Sequence, residues 1–373
     1  MIKIAISVNK CDSGGQKSLV MAYMKNFDQN RVRCDLIVDA DSNSIPYEEM
    51  KELGGGLYVI PPYQKIVAHM KALRKLFMKN HYDVLYAANN TMNLFPLCVA
   101  YYSGIKVRVS ESLTMASPLE KKKTAMKTVL KQFSHLYCNY FMANGKDCGI
   151  YQFGRKAYND GKISIFLSPV DAKANTFDPV LRENTRNKFR WEDKIVYGFI
   201  GRFAAQKNPL FLIDVFYHIS KKQKDAHFVI IGAGALEDQM LEKIEVYGIK
   251  EKVSWLGRRE DIRQFYNAFD AFILPSIYEG LPVVGVESQA AGLPIFFSDA
   301  VTSEAAVAEL GHFISLDKSA ENWADIVIKE TLKAIPNRRG REDDMRRAGF
   351  DAVSETERLT EYFENAVKEQ EKK

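Results

Sequence analysis

The stretch that decides the fold reads Ala271-Phe272-Ile273-Leu274-Pro275-Ser276-Ile277-Tyr278-Glu279-Gly280-Leu281-Pro282-Val283-Val284-Gly285-Val286-Glu287. It begins with an apolar run that is typical of a buried strand, and Pro282 suits the first turn of a helix. Gly292 and Pro294 predict that this helix ends near Ala291. A buried strand followed by a helix is the repeating unit of a parallel α/β sheet.

Two glutamates, Glu279 and Glu287, flank this strand-to-helix turn. Glu287 lies on a helix of small apolar residues, where an ionised carboxylate costs on the order of several kcal/mol unless hydrogen-bond donors meet it. Open α/β sheets bind their ligands at the carboxyl ends of strands. The pattern therefore predicts that a ligand rich in hydroxyl groups binds here. A solvated glutamate on a surface helix is the alternative interpretation.

The rest of the 373-residue chain alternates short apolar runs with helical patterns, which predicts parallel sheets with right-handed crossovers. The length suffices for two domains. We therefore expect two doubly wound, Rossmann-like α/β domains over residues 1–172 and 173–353, followed by a charged helix over residues 354–373. The predicted strands are Ile2–Val8, Cys34–Val38, Val84–Ala87, Val107–Val109, Tyr140–Ala143, Ile195–Ile200, His227–Ile231, Val253–Trp255, Ala271–Leu274, Pro294–Phe297 and His312–Ile314.

The cysteines and apolar runs indicate a protein of the cytoplasm. Five cysteines, an odd number without a C-x-x-C pair, favour reduced thiols over disulfides or a zinc site. The first eight residues read as a strand and lack the features of a signal peptide. The run Leu94–Ile105 is shorter than the roughly 20 residues that span a bilayer.

The net charge of +5 is unevenly divided, with +10 in residues 1–175 and −5 in residues 176–373. Residues 121–131 read as an amphipathic helix with a basic face, on which Lys123, Lys127 and Lys131 recur. This face is either merely solvated or in contact with an anionic membrane surface or a diphosphate-linked acceptor. The second interpretation places the protein at the inner face of the cell membrane. No nucleic-acid partner is expected, because no binding module accompanies the charge.

The turn around Glu279 and Glu287 resembles the signature of the family-four retaining nucleotide-sugar glycosyltransferases. The similarity continues through residues 201–209 (Gly-Arg-Phe-Ala-Ala-Gln-Lys-Asn-Pro), 253–259 (Val-Ser-Trp-Leu-Gly-Arg-Arg) and 289–294 (Gln-Ala-Ala-Gly-Leu-Pro). The nearest members are bacterial capsule and exopolysaccharide glycosyltransferases. The resemblance implies the GT-B arrangement, in which two Rossmann-like domains face a cleft and the last helix returns to the first domain.

The resemblance also implies an activity, the transfer of a sugar from a nucleotide diphosphate donor, a UDP-sugar, to a saccharide or lipid-linked saccharide with retained configuration. It assigns Glu287 to the ribose, Glu279 to the sugar hydroxyls, and Arg202 with Lys207 to the diphosphate. Cations fixed there stabilise a leaving diphosphate as the glycosidic bond breaks. The remaining donor-binding residues implied are Gly14, Gly15, Gly201, Gly257, Arg258, Gly280, Leu281, Pro282 and Val283.

The first domain departs from the family at one position, because Glu111 stands where family members commonly have a histidine. Glu111 is expected to accept a hydrogen bond from the sugar or the acceptor, or to be an exposed loop residue. The pair Gly14-Gly15 follows the first strand, where backbone N–H groups can approach an anion. A plain strand-to-helix turn is the alternative, and the Walker A pattern for ATP is absent.

No metal or other cofactor is expected, because Arg202 and Lys207 supply the positive charge. The D-x-D formed by Asp39 and Asp41 favours the alternative interpretation, in which these carboxylates hold a metal ion. A dinucleotide fingerprint beginning at Gly232 fails at its third position, which is glutamate. Two other functions stay open: a nucleotide-sugar epimerase or hydrolase on the same fold, and a non-catalytic subunit of a polysaccharide assembly complex.

Overall fold

The computed structural model describes residues 1–12, 15–114, 128–131, 133 and 135–373, and it divides them into two units. The first unit comprises Met1–Pro169 and Asp351–Lys373, and the second comprises Val170–Phe350. The chain passes between the units where the amide of Val170 donates to the carbonyl of Phe350 at 2.8 Å.

The first unit is built on a seven-stranded parallel sheet in the order β3-β2-β1-β4-β5-β6-β7. Its strands are β1 (Ile2–Val8), β2 (Val32–Asp39), β3 (Leu57–Ile60), β4 (Val84–Ala87), β5 (Val107–Ser112), β6 (Tyr140–Ala143) and β7 (Ile163–Ile165). Its helices are α1 (Gly15–Asn26), α2 (Tyr47–Glu52), α3 (Ile66–Asn80), α4 (Leu94–Tyr102), α5 (Lys146–Phe153), α6 (Arg155–Asn159) and the C-terminal helix Ala352–Glu371.

Two large apolar clusters, and a small one around Cys148 of α5, cover this first sheet. Leu19 and Tyr23 of α1 pack with Leu359 and Phe363 of the C-terminal helix in one cluster. Side chains of α3 and α4 form the other cluster. The last helix of the chain thus completes the core of the first unit, because its apolar stripe recurs every three to four residues.

The second unit is built on a six-stranded parallel sheet in the order β10-β9-β8-β11-β12-β13. Its strands are β8 (Ile195–Ile200), β9 (Ala226–Ile231), β10 (Val253–Trp255), β11 (Ala271–Leu274), β12 (Ile295–Ser298) and β13 (Gly311–Ile314). Its helices are α7 (Pro179–Phe189), α8 (Pro209–Lys222), α9 (Glu237–Val246), α10 (Arg263–Ala268), α11 (Val283–Ala290), α12 (Ala320–Ala334) and α13 (Glu342–Arg347).

Both sheets confirm the expected doubly wound α/β class, and each reverses its strand order beside its first strand. In the second unit β8 pairs with both β9 and β11. The crossovers from β8 and from β11 therefore leave in opposite directions, which opens a crevice at the carboxyl ends of these two strands. The loops Gly201–Asn208 and Pro275–Pro282 follow those two ends and carry most of the candidate residues.

Candidate active site

An ion pair joins the two loops at the reversal point of the second sheet. The Nζ atom of Lys207 lies 2.5 Å from Oε1 of Glu279, and both side chains are largely buried. The neighbouring Gln206 donates through Nε2 to Oε2 of Glu279 at 3.3 Å and to the carbonyl of Tyr278 at 3.1 Å. Its own carbonyl accepts from the amide of Ile277 at 2.8 Å. Lys207 and Glu279, predicted from separate motifs, are thus brought together, and Gln206 holds the carboxylate from its other side.

A short turn sets the position of Lys207. The residues Ala205–Lys207 form one 3₁₀ turn, and Asn208 then adopts a left-handed conformation with φ of 52°. Pro209 begins α8 directly afterwards. Asparagine tolerates this conformation better than most residues, and proline is favoured at a helix start. The run Lys-Asn-Pro therefore reverses the chain at the point where Lys207 meets Glu279.

Two glycines after β9 allow that loop to pack closely against the loop after β8. A Cβ atom on Gly232 would lie 1.9 Å from the carbonyl oxygen of Gly201, and one on Gly234 would lie 2.4 Å from that of Phe203. The amide of Phe203 also donates to the carbonyl of Ala233 at 3.0 Å. The Gly-Ala-Gly sequence is explained by this backbone contact.

Two candidate cations stay exposed at the same edge of the sheet. Arg202 follows β8, and its guanidinium forms no ion pair or hydrogen bond with the described residues. Gly257, which follows β10, has φ of 62°, and its carbonyl accepts from the amide of Gly232 at 2.8 Å. Arg258 beside it is also exposed. The loops after β8, β9 and β10 are thereby linked, and both guanidinium groups face solvent.

Helix α11 begins with unused backbone donors. Its start at Val283 and its end near Ala291 confirm the expected helix, and no side chain caps its first turn. Gly280 and Leu281 lead into Pro282, whose carbonyl accepts the first helical bond at 2.9 Å from Gly285. The first amides of a helix have no intrahelical partner and carry a partial positive charge. An anion can bind to such donors.

Glu287 lies about one helical turn after the start of α11. It accepts a hydrogen bond from a residue that the sequence did not indicate. Its Oε2 accepts from the hydroxyl of Tyr266 at 2.8 Å. Burial raises the pKa of Glu287 to about 7, although the hydrogen bond from Tyr266 lowers it. Its Oε1 accepts from none of the described residues. The carboxylate is therefore half satisfied, with one oxygen left for a ligand.

Glu111 does not lie in an exposed loop. Strand β5 continues through Glu111 to Ser112, and Glu111 pairs in register with Met142 of β6. The side chain is fully buried and accepts a hydrogen bond from the hydroxyl of Tyr86. Burial raises the pKa of Glu111 to about 8, and its Oε1 contacts no polar partner among the described residues. The loop interpretation is wrong, and this burial gives no support for a contact with sugar or acceptor.

The remaining first-unit candidates are only partly described. Gly14 lies outside the described residues, and Gly15 is the first residue of α1. In the D-x-D, Asp41 forms an ion pair with Lys10 at 3.0 Å. The other member, Asp39, is buried, accepts from the amide of Tyr63 at 3.1 Å and lies 3.4 Å from Nδ1 of His69. Both carboxylates thus have protein partners. Within the described ranges, no group of three His, Cys, Asp or Glu side chains is arranged to hold a metal ion.

Three residues that hold candidate carboxylates were not predicted from the sequence: Gln206 and Tyr266 in the second unit, and Tyr86 in the first. Gln206 stands next to Lys207 in the motif at residues 201–209. An amide side chain beside a candidate cation was the local feature that could have indicated its contact with Glu279. Tyr266 lies 21 residues before Glu287, and nothing local connects the two. The contact arises because α10 and α11 flank the same strand, β11.

The chain is similar to known glycosyltransferases in sequence and in fold. Residues 182–340 match the family described as glycosyl transferases group 1. The chain is 26% identical over 349 residues to EpsF of Bacillus subtilis (strain 168), covering 91% of this chain and 90% of the relative. It is 28% identical over 248 residues, 61% of this chain and 60% of the relative, to an Escherichia coli UDP-Gal:alpha-D-GlcNAc-diphosphoundecaprenol alpha-1,3-galactosyltransferase.

Among solved structures, HepE of Anabaena in complex with UDP-glucose superposes with a TM-score of 0.81 at 17% identity. The match covers 98% of this chain and 100% of HepE. The resemblance that the motifs indicated is therefore confirmed, and so is the expected fold. Residues 182–340 are thus similar to the glycosyl transferases group 1 family, the chain as a whole is similar to bacterial polysaccharide glycosyltransferases, and its fold is that of solved GT-B glycosyltransferases.

Proposed function

We propose that the chain transfers a sugar from a UDP-sugar to a hydroxyl of a saccharide or lipid-linked saccharide in surface polysaccharide synthesis, with retained anomeric configuration. The observation that carries the proposal is the Lys207–Glu279 pair at the reversal point of the second sheet, beside exposed Arg202 and the uncapped start of α11. Relatives support the substrate class, because the matched E. coli enzyme is named for a UDP-galactose donor and a diphosphoundecaprenol-linked acceptor.

Lys207, Arg202 and the first amides of α11 would bind the donor diphosphate. Lys207 carries three N–H donors, and its bond to Glu279 leaves two for phosphate oxygens. The guanidinium of Arg202 adds a planar fork that suits phosphate. As the glycosidic bond breaks, negative charge grows on the leaving diphosphate, and donors already fixed around it stabilise the transition state most. No metal is needed for this step in the proposed mechanism.

The two glutamates would bind different parts of the donor. Oε1 of Glu287, which has no partner among the described residues, would accept from the ribose hydroxyls. Glu279, held by Lys207 and Gln206, would accept from hydroxyls of the transferred sugar. Gly257 and Arg258 would border the base. The acceptor hydroxyl would attack on the face that the diphosphate leaves, which retains the configuration without a covalent enzyme intermediate.

Exchanging each glutamate for glutamine separates these roles. At pH 8.5 or so, where Glu287 is ionised, Glu287→Gln should weaken UDP and the UDP-sugar equally, by roughly ten- to a hundredfold, the value of a hydrogen bond to a charged group. Glu279→Gln should weaken only the UDP-sugar, because it removes the charge from the sugar contact and releases Lys207 for the phosphates. Calorimetric titration measures both ligands, with the exposed Glu242→Gln on α9 as the control.

A thermal-shift screen of UDP-sugars selects the donor for this titration, since a ligand at a hundred times its Kd adds about 2.7 kcal/mol of stability. Unchanged UDP binding by Glu287→Gln would remove the ribose assignment. Incubation of the selected donor with and without saccharide acceptors then distinguishes the functions. Acceptor-dependent UDP release supports transfer, release without any acceptor supports a hydrolase, and conversion of the sugar without release supports an epimerase. The absence of a reaction with every donor would support the remaining function, that of a non-catalytic subunit.

We also propose that the first unit contacts an anionic membrane surface from the cytoplasmic side. The basic run at residues 121–131 lies outside the described residues except for 128–131, so support comes from helix α3. Its outer stripe is exposed and contains no acidic residue, and none of its cations forms an ion pair within the described chain. The stripe consists of Val67, Lys71, Arg74, Lys75, Met78 and Lys79. Among the described residues, no helix has the length and apolar character needed to cross a membrane.

Reversing the charge of Lys71, Arg74 and Lys75 together tests this contact. The triple variant should bind phosphatidylglycerol vesicles about a hundredfold more weakly at low salt, because each of the three surface cations contributes roughly 1 kcal/mol near anionic lipid and 1.4 kcal/mol is tenfold. Transfer to a soluble acceptor should be unchanged. Reversal of the exposed Lys51 on α2 is the control. Vesicle binding that changes neither with salt nor in the triple variant would contradict this contact and indicate that the exposed face of α3 is merely solvated.

A further inference from the structure

Tyr266 is the protein group that holds the Glu287 carboxylate. It lies on α10, its side chain is fully buried, and its hydroxyl donates to Oε2 of Glu287 at 2.8 Å. The ring packs edge-on against Phe272 of β11, with 6.1 Å between the centroids. Its backbone carbonyl accepts from the guanidinium of Arg338. Contacts on the ring and on the backbone therefore fix the hydroxyl before any ligand arrives.

We infer that Tyr266 is a positioning residue for nucleotide binding, whose hydroxyl occupies one oxygen of Glu287 and turns the other toward the ribose. The inference rests on the function proposed above, in which Glu287 binds the donor ribose. A carboxylate that rotates about its last bond presents either oxygen, and a ligand must then select one orientation. A fixed donor on Oε2 removes that freedom, and preorganisation of this kind strengthens binding without any new ligand contact.

The same hydrogen bond opposes the effect of burial on the charge of Glu287. Burial raises the pKa of Glu287 to about 7, and the Tyr266 hydroxyl is the group that lowers it. Tyr266 is the titratable side chain that faces this carboxylate from α10. Arg338 donates to the carbonyls of Tyr266, Phe269 and Ala291 and forms no hydrogen bond or ion pair with Glu287 within the described chain. Without the hydroxyl, the carboxyl group keeps its proton to a higher pH. A protonated Glu287 offers a neutral and weaker acceptor to a ribose hydroxyl.

The test is the pH profile of UDP binding by the full chain carrying Tyr266→Phe. In the parent, UDP affinity should fall as the pH drops through about 7, because Glu287 becomes protonated. In the variant, the midpoint of this fall should move to higher pH. Near pH 7 the variant should bind UDP roughly tenfold more weakly than the parent. At high pH, where Glu287 is ionised in both proteins, the loss of UDP affinity should be smaller, because only the orientation of the carboxylate then differs. In turnover, the KM for the donor should rise more than kcat falls.

A matched control and a double variant exclude a merely structural effect. Tyr197 is also fully buried in the second unit, and its hydroxyl donates to the uncharged Gln223 at 2.7 Å. Tyr197→Phe should therefore leave the pH midpoint unchanged. In the Glu287→Gln background, which has no proton to exchange, Tyr266→Phe should shift no midpoint. If the single variant fails to fold, the double variant is compared with Glu287→Gln alone across the pH range: a pH-dependent difference in UDP affinity overturns the inference, and a pH-independent one supports it.

The outcomes distinguish this inference from the function on which it rests. A folded Tyr266→Phe variant with the parental midpoint and UDP affinity overturns the inference, and so does a midpoint shift in the Glu287→Gln background. If Glu287→Gln itself binds UDP like the parent, the ribose assignment has failed instead. If the parent binds no UDP, the proposed donor is wrong. A shifted midpoint that requires both Tyr266 and Glu287 supports the positioning role.

Discussion

Replacing Glu111 by glutamine is expected to change the stability of the first unit by an amount that depends on pH. In the folded chain, burial raises the pKa of Glu111 from 4.5 to about 8. The unfolded chain gives up this proton near the ordinary value, so between these two pH values the folded state binds more protons than the unfolded state. The carboxyl group therefore lowers stability progressively as the pH rises through that window.

The size of the effect follows from the two pKa values. At 1.36 kcal/mol for each pKa unit, the carboxyl group costs about 3 kcal/mol at pH 7 and about 1 kcal/mol at pH 5. Glutamine has the same shape and no proton to lose, and it can still accept from Tyr86. Glu111→Gln should therefore gain about 2 to 3 kcal/mol of stability relative to the parent on going from pH 5 to pH 7. All other groups titrate alike in both proteins and cancel.

Thermal unfolding followed by circular dichroism at the two pH values measures this difference. For a domain of 150–250 residues, 1 kcal/mol corresponds to roughly 2–4 °C in Tm. The Tm of the variant relative to the parent should therefore increase by about 5–10 °C between pH 5 and pH 7. Glu361→Gln, at an exposed position of the C-terminal helix, should show no such change. The same Tm difference at both pH values would refute a neutral, buried Glu111.

Three further results are expected. Arg202→Ala and Lys207→Ala should each lower kcat/KM by about a hundredfold or more, as loss of a transition-state donor does. Only Lys207→Ala should also lower Tm, because it leaves the buried Glu279 without its cation. Near-normal turnover in both variants would contradict the diphosphate assignment. Turnover should persist in excess chelator, whereas a loss that magnesium or manganese restores would favour the D-x-D as a metal clamp. Gly232→Ala should weaken UDP binding and lower Tm, because its Cβ would meet the Gly201 carbonyl at 1.9 Å; Gly248→Ala, with φ of 63° and open space around it, separates this clash from backbone strain.

The central strands of both sheets follow from the spacing of apolar residues. Val84–Ala87 in the first unit and Ala271–Leu274 in the second have the expected bounds, because strands buried on both faces read as continuous apolar runs. The two missed strands, Leu57–Ile60 and Ile163–Ile165, lie at the edges of the first sheet. Each is short and pairs with a single neighbour, so its conformation depends on that neighbour more than on its own residues.

Glu111 shows where a local pattern misleads. Ser-Glu-Ser after Val109 reads as the polar start of a loop, yet the strand continues because β6 pairs with it as far as Ser112, whereas β4 pairs only as far as Ser110. A buried carboxyl group is tolerated only when another part of the chain supplies a donor or when it keeps its proton. Here Tyr86 supplies the donor from β4. That donor is 25 residues away in sequence and next to Glu111 only in the folded sheet.

The sequence by itself determined the alternation of strands and helices, the strand ends at which charged residues collect, and the identity of Arg202, Lys207, Glu279 and Glu287 as candidates. These properties are local, since they depend on residue type and spacing along one segment. Only the tertiary structure decided the partners: Lys207 with Glu279 across 72 residues, and Tyr266 with Glu287 across 21. Hydrogen bonds and ion pairs act over a few ångströms. Their energy therefore depends on the order of strands in the sheet, which no single segment encodes.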